Sequence, residues 1–215
     1  GVQTCALPIY FVMESILSDA RVLPVITPLD ADHTVRLSRA LLAGGMQTLE
    51  ITMRRESALD AIRAVKSQLP EVTVAAGTVT NPDELDAAVE AGADFCVSPG
   101  LTPALLQAAR DSRVDLVPGV ATASEVMLGR DYGITCFKLF PAVAAGGIAL
   151  LRSLAGPFPD VIFCPTGGLG PENLRDYLAL PNVVCCGGSW MVSSALTEAE
   201  RWDEIQRLAS EAMTG

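Results

Sequence analysis

The chain has 215 residues, of which 50% are hydrophobic and 19% are charged, so it can bury a substantial core as one domain. The formal net charge of −10 argues against a nucleic-acid-binding surface, which needs clustered lysine and arginine, and an anionic substrate must therefore be held by local groups. No apolar run approaches the roughly 18 residues that a membrane-spanning helix requires, so no membrane partner is expected.

The first twelve residues do not look like the start of a folded domain. Residues 1–9 match what one reading frame of a common sequencing adapter encodes, and they show neither helical nor strand periodicity. The two marks of a signal peptide, a basic region and a longer apolar stretch, are both missing. We therefore predict a non-native leader over residues 1–12 and a single domain over residues 13–215, beginning at Met13.

From Val22 onward, short runs of β-branched and apolar residues alternate with amphipathic helical segments. The predicted strands are 22–26, 46–52, 72–76, 95–97, 116–118, 136–140, 161–164 and 183–186. About eight β-then-α units in a chain of this length are typical of an α/β (β/α)8 barrel, the TIM barrel. A doubly wound open sheet is the alternative, but the unit count and the lack of G-x-G-x-x-G after the first strand favour the barrel.

Polar side chains end several strands, as expected for a barrel whose chemistry lies at the carboxyl ends of its strands. Side chains alternate along the second strand, so Glu50 shares a face with Thr48 and Thr52 while its apolar neighbours face the helices. A carboxylate inside a barrel is costly unless it is paired or working. Glycine pairs at 167–168 and 187–188, the second followed by Ser189, are typical of phosphate sites.

Lys138 is unusual because it lies inside the apolar run CFKLFP of residues 136–141. Lysine is almost never fully buried unless it is paired or used. An amine in an apolar setting loses hydration, which favours its neutral form, a nucleophile toward carbonyl groups. One alternative is a strand-end lysine that extends its amine to water. Another is an ion pair with Glu50 that only holds the strands in register.

Six cysteines and one histidine restrict the chemistry further. None of the cysteines forms a C-x-x-C pair, and four lie in or beside apolar strand-like runs, so we expect reduced core thiols in a cytoplasmic protein. His33 leaves little for a zinc cluster or a Ser-His-Asp triad, and we expect it to be solvated at the start of a surface helix. No metal or other cofactor is predicted.

Six motifs together resemble those of the bacterial 2-keto-3-deoxy-6-phosphogluconate (KDPG) aldolase family, also known as 4-hydroxy-2-oxoglutarate (KHG) aldolases. They are LEITMR at 49–54, AGTV at 76–79, SPG at 98–100, FKLFPA at 137–142, CPTGG at 164–168 and GGSW at 187–190. The likeness runs in one register from about residue 14 to the C-terminus.

The resemblance implies a class I, metal-independent aldolase, a lyase that is usually a homotrimer and acts on a small phosphorylated 2-keto acid. KDPG would yield pyruvate and glyceraldehyde 3-phosphate, and KHG would yield pyruvate and glyoxylate. By this match Lys138 forms the Schiff base and Glu50 transfers protons. The implied substrate-binding residues are Arg54, Thr78, Pro99, Phe140, Thr166, Gly167, Gly168, Gly188 and Ser189.

Three alternatives stay open at this point. Some related keto-deoxy-phosphosugar aldolases carry an arginine just after the first strand, where this chain reads PVITP at 24–28, so an aldolase of other epimer preference is one. Phosphosugar isomerase and synthase barrels share the glycine-rich loops but need no imine. The third is a barrel that binds keto-acid phosphates without turning them over.

Overall fold

Short strands alternate with helices throughout residues 9–214, the part of the chain that this computed structural model describes, with side chains described from residue 13. The strand segments are β1 (Val22–Ile26), β2 (Thr48–Thr52), β3 (Thr73–Gly77), β4 (Phe95–Val97), β5 (Asp115–Val117), β6 (Gly119–Val120), β7 (Cys136–Leu139), β8 (Ile162–Pro165) and β9 (Cys186–Gly188). The helices are α1 (Ile9–Ala20), α2 (Ala31–Ala43), α3 (Ala58–Gln68), α4 (Pro82–Glu90), α5 (Pro103–Asp111), α6 (Ala123–Asp131), α7 (Gly147–Ala155), α8 (Leu174–Leu178), α9 (Ser194–Glu198) and α10 (Trp202–Thr214).

The strands close into a ring of eight, because β5 and β6 are two parts of one barrel strand that Pro118 interrupts. Six segments pair in the order β5-β4-β3-β2-β1-β9, and three pair as β6-β7-β8. The two sheets join between β8 and β9, where the Phe163 N–H donates to Asn182 O at 2.8 Å and the Val184 N–H donates to Phe163 O at 3.0 Å. The predicted (β/α)8 barrel is confirmed.

Side chains from successive strand positions separate into an inner and an outer apolar cluster, as the alternation of a β-strand requires. On β2, Leu49 and Ile51 join the outer cluster between the strands and the helices. Met13 and Leu17 of α1 pack on the inner cluster and close the barrel at the amino ends of the strands. The inner cluster also includes Ala75, Phe95, Val97, Val117, Cys136, Cys164 and Cys185.

Side-chain caps fix the loops that lead from strands into helices. The side chains of Asp30, Asn81, Thr102 and Thr122 each accept the N–H of the residue three positions later. Such caps satisfy backbone donors that have no partner inside the helix. These loops lie at the carboxyl ends of the strands, so the caps also give a fixed shape to the end of the barrel where the predicted site residues lie.

Three local expectations need correction or comment. His33 is buried rather than solvated: its Nε2 lies 2.8 Å from Thr197 O, and its ring packs against Trp202 with centroids 5.2 Å apart. The last strand begins later than predicted, because Val183 forms only an isolated bridge and regular pairing starts at Cys186. The predicted leader, residues 1–12, lies outside the residues whose side chains are described, and it stays a prediction.

Among the helices of residues 9–214, none combines the length and the apolar composition that crossing a bilayer demands.

Candidate active site

Lys138 and Glu50 form an ion pair inside the barrel. Nζ of Lys138 lies 3.1 Å from Oε1 and 3.3 Å from Oε2 of Glu50, and the two side chains are 6% and 1% exposed. Lys138 therefore does not extend its amine to water. The desolvation of both charges offsets their attraction, so a buried pair of this kind is weak evidence for a role in stability. Proton transfer between the two groups needs no movement of either strand.

Strand alternation aims both side chains into the barrel. Glu50 is in register with Ala75 of β3, and Lys138 is in register with Cys164 of β8, and both partners belong to the inner cluster. Side chains in register on neighbouring parallel strands point to the same side of the sheet. Gly77 gives the carboxylate its space, because a Cβ at this position would overlap the Glu50 side chain.

Phe140, which directly follows β7, borders the amine of Lys138, and Pro99 lies one strand away. Nζ of Lys138 lies 5.5 Å from the centroid of the Phe140 ring, which offers a cation an aromatic face and a neutral amine an apolar wall. The backbone of Pro99 packs against Gly119 so closely that a Cβ on the glycine would overlap it. Gly119 in turn is in register with Lys138, so Pro99 is one strand removed from the amine.

Arg54 and Thr78, two of the implied substrate-binding residues, are in contact. Nε of Arg54 donates to Thr78 Oγ1 at 3.1 Å, and the loops that carry them are joined by the Met53 N–H, which donates to Gly77 O at 2.7 Å. Arg54 is exposed, so its guanidinium is free to meet an anion from solvent. Thr78 has a φ of 62°, a left-handed conformation that is rare for a β-branched residue and often marks a functional site.

The glycine loop, residues 166–170, follows β8 and contains backbone N–H groups that have no acceptor within residues 9–214. The carbonyl of Thr166 accepts the Ala142 N–H at 2.8 Å, and that of Gly167 accepts the Val143 N–H at 3.1 Å. Gly167 and Gly168 have φ values of 102° and 80°, which favour glycine. Among residues 9–214, no group accepts the N–H of either glycine. Unused donors from successive residues are the usual backbone site for an anion.

Thr166 and Gly188 support this end of the barrel. Thr166 is buried, its hydroxyl donates to Cys164 O at 3.4 Å, and its backbone forms a bridge with Gly187. Gly188 is in register with Pro24 of β1, and the side chain of Trp190 fills the space where its Cβ would lie. Thr166 thus joins the end of β8 to β9, and Gly188 joins the end of β9 to β1, next to the two glycine-rich turns.

Ser189 is exposed and borders a cavity of about 460 Å³ at the mouth of the barrel. Thr27, Trp190 and Arg55 line the same cavity, whereas Lys138 and Glu50 do not. Arg55 is not among the predicted site residues, although its position directly after a predicted substrate-binding arginine was the available signal. Its side chain forms no ion pair with any group in residues 13–214.

The five described cysteines are free and buried, which agrees with the expectation of reduced core thiols. Burial raises the pKa of the Cys96 thiol to about 12 and raises the pKa values of Cys136 and Cys186 as well. Protonated thiols of this kind are poor nucleophiles and poor metal ligands. Among the described residues, no group of three or more histidine, cysteine, aspartate or glutamate side chains is arranged to hold a metal ion.

Known proteins similar to this chain were found by sequence and by structure. A model of the family described as KDPG and KHG aldolase matches residues 13–208. The KHG/KDPG aldolase of Escherichia coli K12 is 52% identical over 202 residues, which cover 94% of this chain and 95% of the relative.

Two solved structures share the fold closely. The KDPG aldolase of Legionella pneumophila, with pyruvate captured at low pH as a covalent carbinolamine intermediate, has a TM-score of 0.91 at 41% identity and covers 93% of this chain and 97% of that one. The Zymomonas mobilis ZM4 enzyme, with 3-phosphoglycerate, has a TM-score of 0.90 at 42% identity and covers 95% and 96% of the two chains.

Proposed function

Because the chain belongs to the KDPG and KHG aldolase family, we propose that it cleaves KDPG to pyruvate and glyceraldehyde 3-phosphate through an imine on Lys138. The observation that carries this proposal is the buried contact between Lys138 Nζ and the Glu50 carboxylate. It places the nucleophile within hydrogen-bonding distance of the group that must move protons, the geometry that covalent catalysis by an amine requires.

The first stage forms the imine. The carboxylate of Glu50 takes a proton from the Lys138 ammonium, and the neutral amine attacks the C2 carbonyl carbon of the keto acid. Glu50 returns the proton to the oxygen and takes a second proton from the attacking nitrogen, which gives a neutral carbinolamine. It then passes this second proton to the same oxygen, which leaves as water. The product is a protonated imine that accepts an electron pair. A carbinolamine of pyruvate in the Legionella relative supports this stage.

The second stage breaks the C3–C4 bond. Glu50 removes the proton of the C4 hydroxyl, C4 becomes the aldehyde carbon of glyceraldehyde 3-phosphate, and the bonding electrons move into the imine to form an enamine. Glu50 then returns a proton to C3, and water releases pyruvate and frees Lys138. One carboxylate serves every step, because it contacts the amine on which the intermediates form.

Arg54 and Thr78 bind the C1 carboxylate of the substrate. A guanidinium binds a carboxylate through two parallel hydrogen bonds, and the contact between Arg54 Nε and Thr78 Oγ1 leaves the two terminal nitrogens of the guanidinium for that purpose. Phe140 and Pro99 close the apolar side of the reacting centre. Excluding water from this side protects the enamine and strengthens the electrostatic interactions around it.

The phosphate lies against the glycine loop and Ser189. The unused N–H groups of Gly167 and Gly168 support this assignment, since they suit an anion and have no acceptor within residues 9–214. The net charge of −10 makes such local donors necessary, because the field of the whole protein repels a phosphate. The phosphorylated ligand of the Zymomonas relative is consistent with the same assignment.

KHG is the second substrate, as the name of the Escherichia coli relative suggests. It presents the same 2-keto acid to Lys138 and carries no phosphate. Its second carboxylate is attached directly to C4, so no group of KHG extends as far as the phosphate of KDPG does. A homotrimer in the cytoplasm is the assembly and location that we propose from family membership. Sedimentation equilibrium of the purified protein measures the first directly.

The test is to measure pyruvate release from KDPG and from KHG with a lactate dehydrogenase coupled assay, and to compare kcat/KM for the two substrates. We expect both to be cleaved, with the phosphorylated substrate preferred because only it uses the glycine loop. Absence of pyruvate release from both substrates would remove the proposal in favour of a non-catalytic or imine-free barrel.

A further inference from the structure

Both polar atoms of the Asn173 side chain, just before α8, form hydrogen bonds with the glycine loop. Its Nδ2 donates to Gly168 O at 3.1 Å, and its Oδ1 accepts the Gly170 N–H at 3.1 Å. A backbone hydrogen bond joins the same two residues, since the Asn173 N–H donates to Gly170 O at 3.2 Å. An amide side chain that closes a turn on backbone groups in this way orders the turn before any ligand arrives.

The contact with Gly168 O matters because of peptide geometry. In a trans peptide the carbonyl of one residue and the N–H of the next point in opposite directions within one plane. A partner that holds the Gly168 carbonyl therefore also sets the direction of the Leu169 N–H. No group among residues 9–214 accepts that N–H.

Three successive peptide groups of the loop are held in this manner. The Ala142 N–H holds the carbonyl of Thr166, and the Val143 N–H holds that of Gly167, as described above. These two contacts come from the loop after β7, the strand that contains Lys138. The third contact, to the carbonyl of Gly168, comes from the Asn173 side chain. Within residues 9–214 the N–H groups of residues 167, 168 and 169 have no acceptor, and the carbonyl on the opposite side of each peptide group is held.

We propose that Leu169 N–H is a third backbone donor to the substrate phosphate and that Asn173 is the positioning residue that directs it. This inference rests on the proposed function, since it assumes that the phosphate lies at the glycine loop. Asn173 acts through the loop and does not touch the reacting atoms. Its contribution is therefore confined to phosphorylated substrates, and it raises the selectivity of the enzyme for KDPG over KHG.

Two substitutions distinguish the hydrogen bond made by Asn173 Nδ2 from the one made by Oδ1. Asn173→Ala removes both contacts. Asn173→Asp keeps an oxygen that accepts the Gly170 N–H but places a carboxylate oxygen against Gly168 O, where a donor is required. We expect both variants to raise KM for KDPG by about tenfold, because each weakens one well-oriented hydrogen bond to a charged group. The kcat for KDPG and the kcat/KM for KHG should not change.

Asn182→Ala is the matched control. The Nδ2 of Asn182 also donates to a backbone carbonyl, Leu151 O at 2.9 Å, but this residue precedes β9, at the opposite end of the barrel. Its loss is expected to lower the melting temperature without changing the ratio of kcat/KM values. Equal losses on both substrates in the Asn173 variants would show that Asn173 only supports the fold and would overturn the inference. A wild-type KM in either variant would overturn it as well.

The binding of inorganic phosphate tests the role of Asn173 without any catalytic turnover, so the result does not depend on whether KDPG is cleaved. Inorganic phosphate should raise the melting temperature of the wild-type protein more than that of Asn173→Ala, because binding to the folded state stabilises it by mass action. It should also slow hydrogen exchange at the Leu169 amide of the wild type. Equal phosphate shifts would contradict the role of Asn173 even if KDPG is cleaved, and failure to cleave KDPG leaves this comparison readable.

Discussion

The Nζ atom of Lys138 lies 3.1 Å from Glu50 Oε1 although the two residues are 88 positions apart in the chain. The pair crosses the interior of the barrel from β7 to β2, and both side chains are almost completely shielded from solvent. The proposed nucleophile and its proposed proton carrier are thus held together by the strands.

Replacing Glu50 by glutamine keeps the shape of the side chain and removes its ability to carry protons. We expect Glu50→Gln to lower kcat for KDPG cleavage by about 100-fold to 10,000-fold, the usual contribution of a positioned acid–base group. The measurement is steady-state pyruvate release at saturating substrate. Cleavage at the wild-type rate would show that another group moves the protons.

Gly77→Ala tests the space that Glu50 occupies. The new Cβ would overlap the carboxylate, so the side chain must leave its position beside Lys138. We expect kcat to fall by about tenfold to 100-fold, because misplaced catalytic groups are costly even when their chemistry is intact. Gly156→Ala is the control, since no atom lies within 4 Å of a Cβ added there and its φ of −66° is an ordinary one. Similar kinetics for the two variants would contradict the placement of Glu50.

Arg54→Lys keeps the positive charge and removes the planar pair of donors. Since lysine binds a carboxylate as a point charge, we expect kcat/KM to fall by about tenfold to 100-fold for KDPG and for KHG alike. The equal effect on both substrates distinguishes the carboxylate site from the phosphate site, where only KDPG is affected. An effect limited to KDPG would place Arg54 at the phosphate instead.

The buried thiols are expected to resist alkylation in the folded protein because their raised pKa values keep them protonated. Burial raises the pKa of Cys96 to about 12, so at pH 8 only about one thiol in ten thousand is ionised in the folded protein. We expect iodoacetamide at pH 8 to leave Cys96, Cys136 and Cys186 unmodified in the native protein and to modify them in urea, as measured by peptide mass spectrometry. Rapid labelling of Cys96 in the native state would contradict its burial.

The barrel and the buried Lys138–Glu50 pair were predictable because they depend on short-range regularities. Alternation along β2 placed Glu50 opposite Leu49 and Ile51, and the isolated charge in β7 singled out Lys138. The ends of parallel strands meet at one end of a barrel, so residues distant in sequence were expected together. Five of the eight barrel strands begin within one residue of their predicted start and end within one residue of their predicted end.

Features that depend on contacts between distant segments were not predictable. The burial of His33 follows from the packing of α9 and α10 on α2, and nothing in the local sequence around His33 indicates it. The contact between Asn173 and Gly168 O depends on the left-handed turn at Gly167 and Gly168, which brings a backbone carbonyl within reach of the Asn173 amide. The late start of β9 reflects which residues reach β1, a property of the closed ring.

The central claim is tested most directly by trapping the imine. The protein is incubated with pyruvate and sodium borohydride, digested, and analysed by mass spectrometry, with Lys138→Met as the control. A covalent imine on this nitrogen, once reduced, adds the mass of a lactyl group to the peptide that contains Lys138 and abolishes KDPG cleavage. An unmodified Lys138 peptide, or equal labelling of the Lys138→Met protein, would contradict the account.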